Sequence, residues 1–147
     1  MEAWHIRTAA EGSLPGAAAL AAQLWPHHTA EALRAEFEEI TTQGGECFVL
    51  EAGGAAVGFA QCQLRHDYVE GTETSPVGYL EGIYVAEDWR GQGCARALLA
   101  ACEDWARARG CREFASDCEL DNEASIGFHR AVGFAEANRI VCFAKRL

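Results

Sequence analysis

A turn holding two glycines, Arg90-Gly91-Gln92-Gly93-Cys94-Ala95, constrains the fold of this chain more than any other stretch. An apolar run over residues 79–85 leads into it, and an amphipathic run ending near Gly110 follows. The spacing predicts strand, glycine turn and helix, a unit that presents bare backbone N–H groups to phosphate. The charges sharpen this reading. A first helical turn ordinarily favours carboxylates, because the helix dipole is positive there. Here Arg90 and Arg96 sit at that end, while Glu87 and Asp88 stay outside it. Cations in that place are unfavourable unless an anion shares the site, so the turn reads as a pyrophosphate cradle. Residues 113–117 read as a further strand after the helix. Two strands joined by a helix are expected to pair in parallel through a right-handed crossover.

Periodicity and punctuation set the elements around that unit. Residues 4–8 read as a first strand. Ser13-Leu14-Pro15 is a helix start, with a capping serine and an early proline. An alanine-rich helix runs to about Leu24, where Trp25-Pro26 interrupts it. Thr29 caps a second helix over 30–42, with Leu33, Phe37 and Ile40 on one face and Gly44-Gly45 at its end. Strands over 47–51 and 55–65 form a hairpin about residues 52–54. A polar loop over 67–76 precedes the strand over 77–85. The helix over 90–109 carries a buried stripe of Ala95, Leu98, Leu99, Cys102, Trp105 and Ala106, and Arg107 and Arg109 suit its negative end. Asn122 can cap a short helix over 123–131, and residues 135–145 read as a closing strand. The expectation is an α/β (α+β) chain, one domain over residues 1–147, with a mixed, mostly antiparallel sheet flanked by helices.

Composition excludes several functions. The formal net charge is −10, whereas binding a phosphate backbone needs a basic footprint, so nucleic acid is not an expected partner. No apolar run is long enough to span a bilayer, and Trp4-His5-Ile6-Arg7 lacks the charged-then-apolar pattern of a signal peptide. A cytoplasmic location and no membrane partner are expected. The seven cysteines form no C-x-x-C pair and fit neither a zinc site nor a disulfide framework, so they read as small buried hydrophobes. His27-His28 has no third ligand at a recognisable spacing, and no metal site is expected.

Two patterns carry a family resemblance. Arg90-x-x-Gly93-x-Ala95 after a strand resembles the acyl-coenzyme A signature of the GCN5-related N-acetyltransferases. The series Asn122, Ser125, His129, Gly133-Phe134 resembles their second pattern, with His129 where many members place a tyrosine. The element order matches the acyl-CoA N-acyltransferase fold over nearly the whole chain. Longer strings look like the aminoglycoside 6′-N-acetyltransferases: residues 68–78, then 80–85, and Glu113-Phe114-Ala115-Ser116-Asp117 followed by Leu120-Asp121-Asn122. The resemblance implies direct transfer of acetyl from acetyl-CoA to the 6′-amine of an aminoglycoside in a ternary complex. It also implies antibiotic resistance as the outcome, and a homodimer.

That chemistry assigns candidate roles. A sugar ammonium must lose a proton before it attacks a thioester, and a carboxylate beside splayed strands can accept it. Asp117 ends its strand and Glu81 interrupts an apolar one, so both are catalytic candidates. The resemblance favours Asp117 for the proton and Glu81 as a second anchor. Backbone N–H groups of Ile83, Tyr84 and Val85 are candidates to stabilise the thioester oxygen and hold the pantetheine arm, with Gly82 marking a bulge. Arg90, Gly91, Gln92, Gly93, Cys94 and Ala95 would seat pyrophosphate, and Asn122 would bind pantetheine or simply cap its helix. Trp25, Tyr68, Glu73, Glu81, Asp117 and Glu136 are acceptor-binding candidates, with Glu70 a further acid nearby. Trp25 reads equally as a staple between helices, and His129 as a general acid or a packed residue. Two other readings of the same fold stand beside this one. One acetylates a polyamine or another amine, and one only binds acyl-CoA or drug.

Overall fold

The computed structural model describes residues 3–10 and 14–147. In chain order it holds β1 (Trp4–Thr8), α1 (Leu14–Leu24), α2 (Ala30–Thr42), β2 (Glu46–Ala52), β3 (Ala55–Arg65) and β4 (Val77–Val85). A one-turn 3-10 helix (Glu87–Trp89), α3 (Cys94–Ala108), β5 (Phe114–Ser116) and α4 (Glu123–Ala131) follow. The expected Ser13 cap lies outside the described residues. Thr29 caps α2 as expected, its side chain accepting from the Ala32 N–H at 3.1 Å.

The five strands lie in chain order across one sheet. β1 to β4 pair antiparallel, and β5 joins β4 in parallel across the α3 crossover. Two apolar layers cover the sheet. On one face α3 buries Leu98, Leu99, Cys102, Trp105 and Ala106 against Leu50, Ala60, Cys62, Leu80 and Val85. On the other, Ala17, Ala18, Leu20 and Ala21 of α1 and Leu33 and Phe37 of α2 pack on Cys47, Val49 and Phe59. A smaller cluster, Val69, Val77 and Tyr79, continues that second face beyond the helices.

Three expectations are corrected. The helix after the glycine turn begins at Cys94 and not at Arg90, because Gly93 at φ +83° cannot be helical. The bulge lies at Glu81 and not at Gly82: Gln61 pairs with Gly82 while Cys62 pairs with Leu80, so Glu81 is the extra residue. The closing strand over 135–145 does not form. Residues 135–147 carry no regular secondary structure and are exposed throughout. Both alternating faces of that segment are apolar, Ile140 and Cys142 on one and Val141 and Phe143 on the other. A strand of that kind needs cover on both sides, and its own chain provides none.

Candidate active site

β4 and β5 share register only over Gly78–Phe114, Tyr79–Ala115 and Leu80–Ser116. Beyond Leu80, β4 keeps its pairing with β3 but loses β5, so a gap opens on that edge. Ladder parity decides what β4 shows to that gap. The Ala86 N–H donates to the Val57 carbonyl at 2.8 Å. Alternation then turns the N–H groups of Gly82 and Tyr84 toward β3 and those of Ile83 and Val85 toward the open edge. Of the three backbone candidates, Ile83 and Val85 therefore face the gap, and Tyr84 stays in the ladder. The Tyr84 hydroxyl meets Gln23 Oε1 at 3.0 Å, and its ring lies beneath the Arg90 guanidinium at 5.3 Å.

Past the end of β4, the glycine turn and α4 enclose a cavity of about 180 Å³, lined in part by Val85, Arg90, Gly91, Gly93, Cys94 and Ala95. No side chain caps α3. The N–H groups of its first turn are the donors that a helix leaves without an internal acceptor. Arg90 Nε donates to the Val85 carbonyl at 2.8 Å, which ties the turn to the end of the strand. Gln92 Nε2 reaches only the Asp88 carbonyl, at 3.4 Å. The arrangement suits an anion such as a pyrophosphate.

The acceptor-side candidates lie on the face opposite α3. Glu81 is held by three contacts: Gln63 Nε2 donates to Oε2, and Arg65 Nη2 stands 3.1 Å from each oxygen. The Glu81 side chain is 18 % exposed, while Arg65 is 40 % exposed, so the pair reaches solvent through the guanidinium. Arg65 also lies over the Tyr79 ring, 3.5 Å from the centroid. The Tyr79 hydroxyl donates to Asp117 Oδ2. Burial and the neighbouring Asp117 push the Tyr79 phenol well above its ordinary range, so it stays a proton donor. Asp117 is exposed, and Oδ1 carries no partner among the described residues. Trp25 lies across Gly82: a Cβ there would stand 2.6 Å from Trp25 Cη2. It also packs on Phe59, ring centroids 6.2 Å apart, so it staples the helix end and roofs the cleft together.

The remaining acids are less available. Glu136 is clasped by Arg130 at 2.9 Å and by Arg139, both of which lower its pKa. Tyr68 is 80 % exposed and bonds to Glu70 at 2.6 Å, and Asn138 also donates to Glu70. Glu73 is exposed, and its backbone N–H donates to Glu113 at 2.9 Å. Glu113 also accepts from the Thr74 N–H at 2.8 Å and from the Thr74 hydroxyl, so it clamps the loop that carries Tyr68.

His129 is engaged at both ring nitrogens. Nδ1 lies 2.7 Å from the Ser125 carbonyl, which can only accept, so Nδ1 carries a hydrogen. Nε2 lies 2.8 Å from Ser116 Oγ. The ring ties α4 to the end of β5 and packs on Phe134, centroids 5.0 Å apart. Asn122 accepts from the Ser125 N–H at 3.1 Å as a helix cap. Five of the seven cysteines are buried as expected, whereas Cys118 and Cys142 are exposed; burial raises the thiol of Cys94 at the turn, as it raises Cys47 to about 12. Among the described residues no cluster of His, Cys, Asp and Glu could hold a metal ion, and no helix is long and apolar enough to cross a membrane.

Sequence reasoning missed Tyr79, Arg65 and Gln63. In an apolar run Tyr79 reads as core, and Arg65 and Gln63 sit at the polar end of a hairpin strand. A buried carboxylate at Glu81 was the available signal, because such a group needs a partner.

The chain is similar to known proteins over nearly its whole length. The family model for the acetyltransferase (GNAT) family matches residues 13–134. An aminoglycoside N(6′)-acetyltransferase type 1 of Stenotrophomonas maltophilia is 45% identical over 143 residues, covering 94% of this chain and 90% of that one. The enzyme of the same name from Serratia marcescens is 46% identical over 131 residues, covering 88% of this chain and 90% of that one. Among solved structures, the aminoglycoside N-acetyltransferase AAC(6′)-Iy in complex with CoA superposes with a TM-score of 0.94 at 40% identity, covering 100% of this chain and 97% of that one. The same enzyme bound to the bisubstrate analogue CoA-S-monomethyl-acetylneamine gives a TM-score of 0.90 at 40% identity, with 99% of each chain covered.

Proposed function

The chain belongs to the acetyltransferase (GNAT) family, and from that premise we propose that it transfers the acetyl group of acetyl-CoA to the 6′-amine of an aminoglycoside. The observation that carries the reading is the division between its two cleft carboxylates. Glu81 is paired with Arg65, whereas Asp117 has no cationic partner among the described residues and keeps one oxygen without a partner. Such a pair separates an anchor from a proton acceptor. The similarity to enzymes named for this acceptor supports its identity.

Acetyl-CoA supplies the activated thioester. The first N–H groups of α3 hold its pyrophosphate, with the Arg90 side chain bracing the turn. The N–H groups of Ile83 and Val85 extend the open edge of β4 along the pantetheine arm and face the thioester oxygen as it gains charge. Asp117 Oδ1 takes a proton from the acceptor ammonium, directly or through one water. The neutral amine then forms the new N–C bond, the C–S bond breaks, and the departing sulfur takes the second proton. The product amide has lost one positive charge, which underlies a resistance role. Trp25 and Tyr68 offer faces to the sugar rings, and Glu70 and Glu73 of the loop set the negative field around a polycation, while Glu136, clasped by two arginines, can contribute only if the acceptor displaces them.

In this reading the chain is a single domain over residues 1–147, working in the cytoplasm as a homodimer. Support for the dimer comes from residues 135–147, which keep an uncovered apolar run over 140–144 without pairing, with Ile140, Val141 and Phe143 exposed by 67%, 76% and 91%. Light scattering on the full chain and on one ending at Ala137 tests it. A dimer that becomes a monomer on truncation is expected; a monomeric full chain rejects it.

Mass spectrometry of kanamycin incubated with the protein and acetyl-CoA tests the activity, with amikacin, spermidine and enzyme-free controls. One acetyl group at the 6′-amine is expected. Acetylation of spermidine alone would place the acceptor among polyamines, and acetyl-CoA bound but never consumed would leave only a binding protein.

A further inference from the structure

The carboxylate proposed to take the proton is exposed and sits just past a three-residue strand, a poor place to hold a group to the tolerance that proton transfer needs. Among the described residues its only side-chain partner is the Tyr79 hydroxyl. Tyr79 itself is 6% exposed and lies on β4, in the one stretch where β4 and β5 pair. Its ring is covered by Arg65, and Arg65 is fixed in turn by both oxygens of Glu81, which Gln63 also holds. A chain of contacts thus runs from the interior of the sheet to Asp117, through side chains that each have a second support.

We infer that Tyr79 is a positioning residue for Asp117, and that Arg65 positions Tyr79. The phenol occupies Oδ2 and leaves Oδ1 as the oxygen that meets the acceptor amine. As a neutral donor it orients the carboxylate without cancelling its charge, which a cation in its place would do. Arg65 confines the ring from above and spends its charge on Glu81, so the guanidinium does not compete for Asp117. The charged groups facing Tyr79 are Asp117 after β5, Arg65 on β3 and Glu81 on β4. This inference rests on the reading of Asp117 as proton acceptor.

The test is a double-mutant cycle on kcat between Tyr79→Phe and Asp117→Asn, with acetyl-CoA affinity as a check on folding. Tyr79→Phe keeps the ring and its packing. A hydrogen bond to a charged group contributes about 1.5–3 kcal/mol, so kcat for the acceptor should fall by roughly 10- to 100-fold. The KM for acetyl-CoA should stay unchanged. In the Asp117→Asn background the same substitution should cost almost nothing further, because the residue acts through the one already removed. A second readout does not need residual activity in that background. Above the pKa of the acceptor amine the ammonium no longer has to be deprotonated, and the Tyr79→Phe penalty should shrink there. Arg65→Lys should retain more of the rate than Arg65→Met.

A Tyr79→Phe rate equal to wild type overturns the inference, as does a penalty that is the same at every pH or that multiplies fully with Asp117→Asn. A wild-type rate in Asp117→Asn alone overturns instead the reading on which it rests.

Discussion

Replacing Gly82 with alanine should displace Trp25 and reveal which side of the reaction that indole serves. The added Cβ would stand 2.6 Å from Trp25 Cη2 and 3.0 Å from Cζ2, against ordinary contacts of 3.4 Å or more. The ring must therefore retreat by about 1 Å. It cannot sink toward the sheet, because Phe59 backs it and is itself fully buried against Phe37, ring centroids 5.4 Å apart. The open direction is outward, at the cost of rotamer strain and lost packing. Overpacking of this kind costs about 1–3 kcal/mol, which for a chain of this size lowers Tm by roughly 2–12 °C. The CoA contacts proposed above lie along the edge of β4 and the start of α3, away from that ring. Steady-state kinetics with both substrates varied should show the aminoglycoside KM rising about tenfold, the equivalent of ~1.4 kcal/mol, with the acetyl-CoA KM within about twofold. Adding Trp25→Phe, a smaller ring, should recover part of the lost Tm, because the two sites are in contact. A Gly82→Ala protein with unchanged Tm and unchanged acceptor KM would refute the reasoning. A rise confined to acetyl-CoA would put Trp25 on the wrong side of the reaction.

Other outcomes follow from the same geometry. Glu113 has its pKa lowered from an ordinary 4.5, first by the Thr74 hydroxyl and then by the Glu73 N–H. Its contribution is therefore fully present above that ordinary value and is lost as pH falls through the lowered one. Hydrogen-exchange protection of residues 73 and 74, taken relative to the intrinsic rate at each pH, should fall on acidification in the wild type and should already be low at neutral pH in Glu113→Gln. Gly93→Ala forces a side chain into φ +83°, a strain of about 1–2 kcal/mol, and should weaken CoA binding by calorimetry about tenfold with little change in acceptor KM.

Much of this architecture is legible in the sequence because local signals agree with one another. The glycine turn, the Thr29 and Asn122 caps and the stripe from Leu98 to Ala106 each specify one element and its exposed side. Asp117 and Glu81 also stand out as carboxylates beside apolar runs. What is not legible depends on pairings between distant residues. Arg65 and Glu81 meet only because β3 and β4 are adjacent, so the pairing of Glu81 cannot be read from either segment alone. Tyr79 meets Asp117 across 38 residues through the short parallel ladder. The closing segment misleads for a different reason: an apolar run records which residues want cover, and says nothing about which chain supplies it.

The bulge at Glu81 re-phases its strand. On β4 the α3 side receives Leu80 before the extra residue, but Ile83 and Val85 after it. Even numbers give way to odd in mid-strand. Tyr79 and Ile83, which a regular strand would place on one face, are sent to opposite sides of the sheet. The strand is thus written in two reading frames, even-numbered residues facing α3 before Glu81 and odd-numbered ones after it, with a single residue as the shift between them. Losing that one residue would put both frames out of step at once.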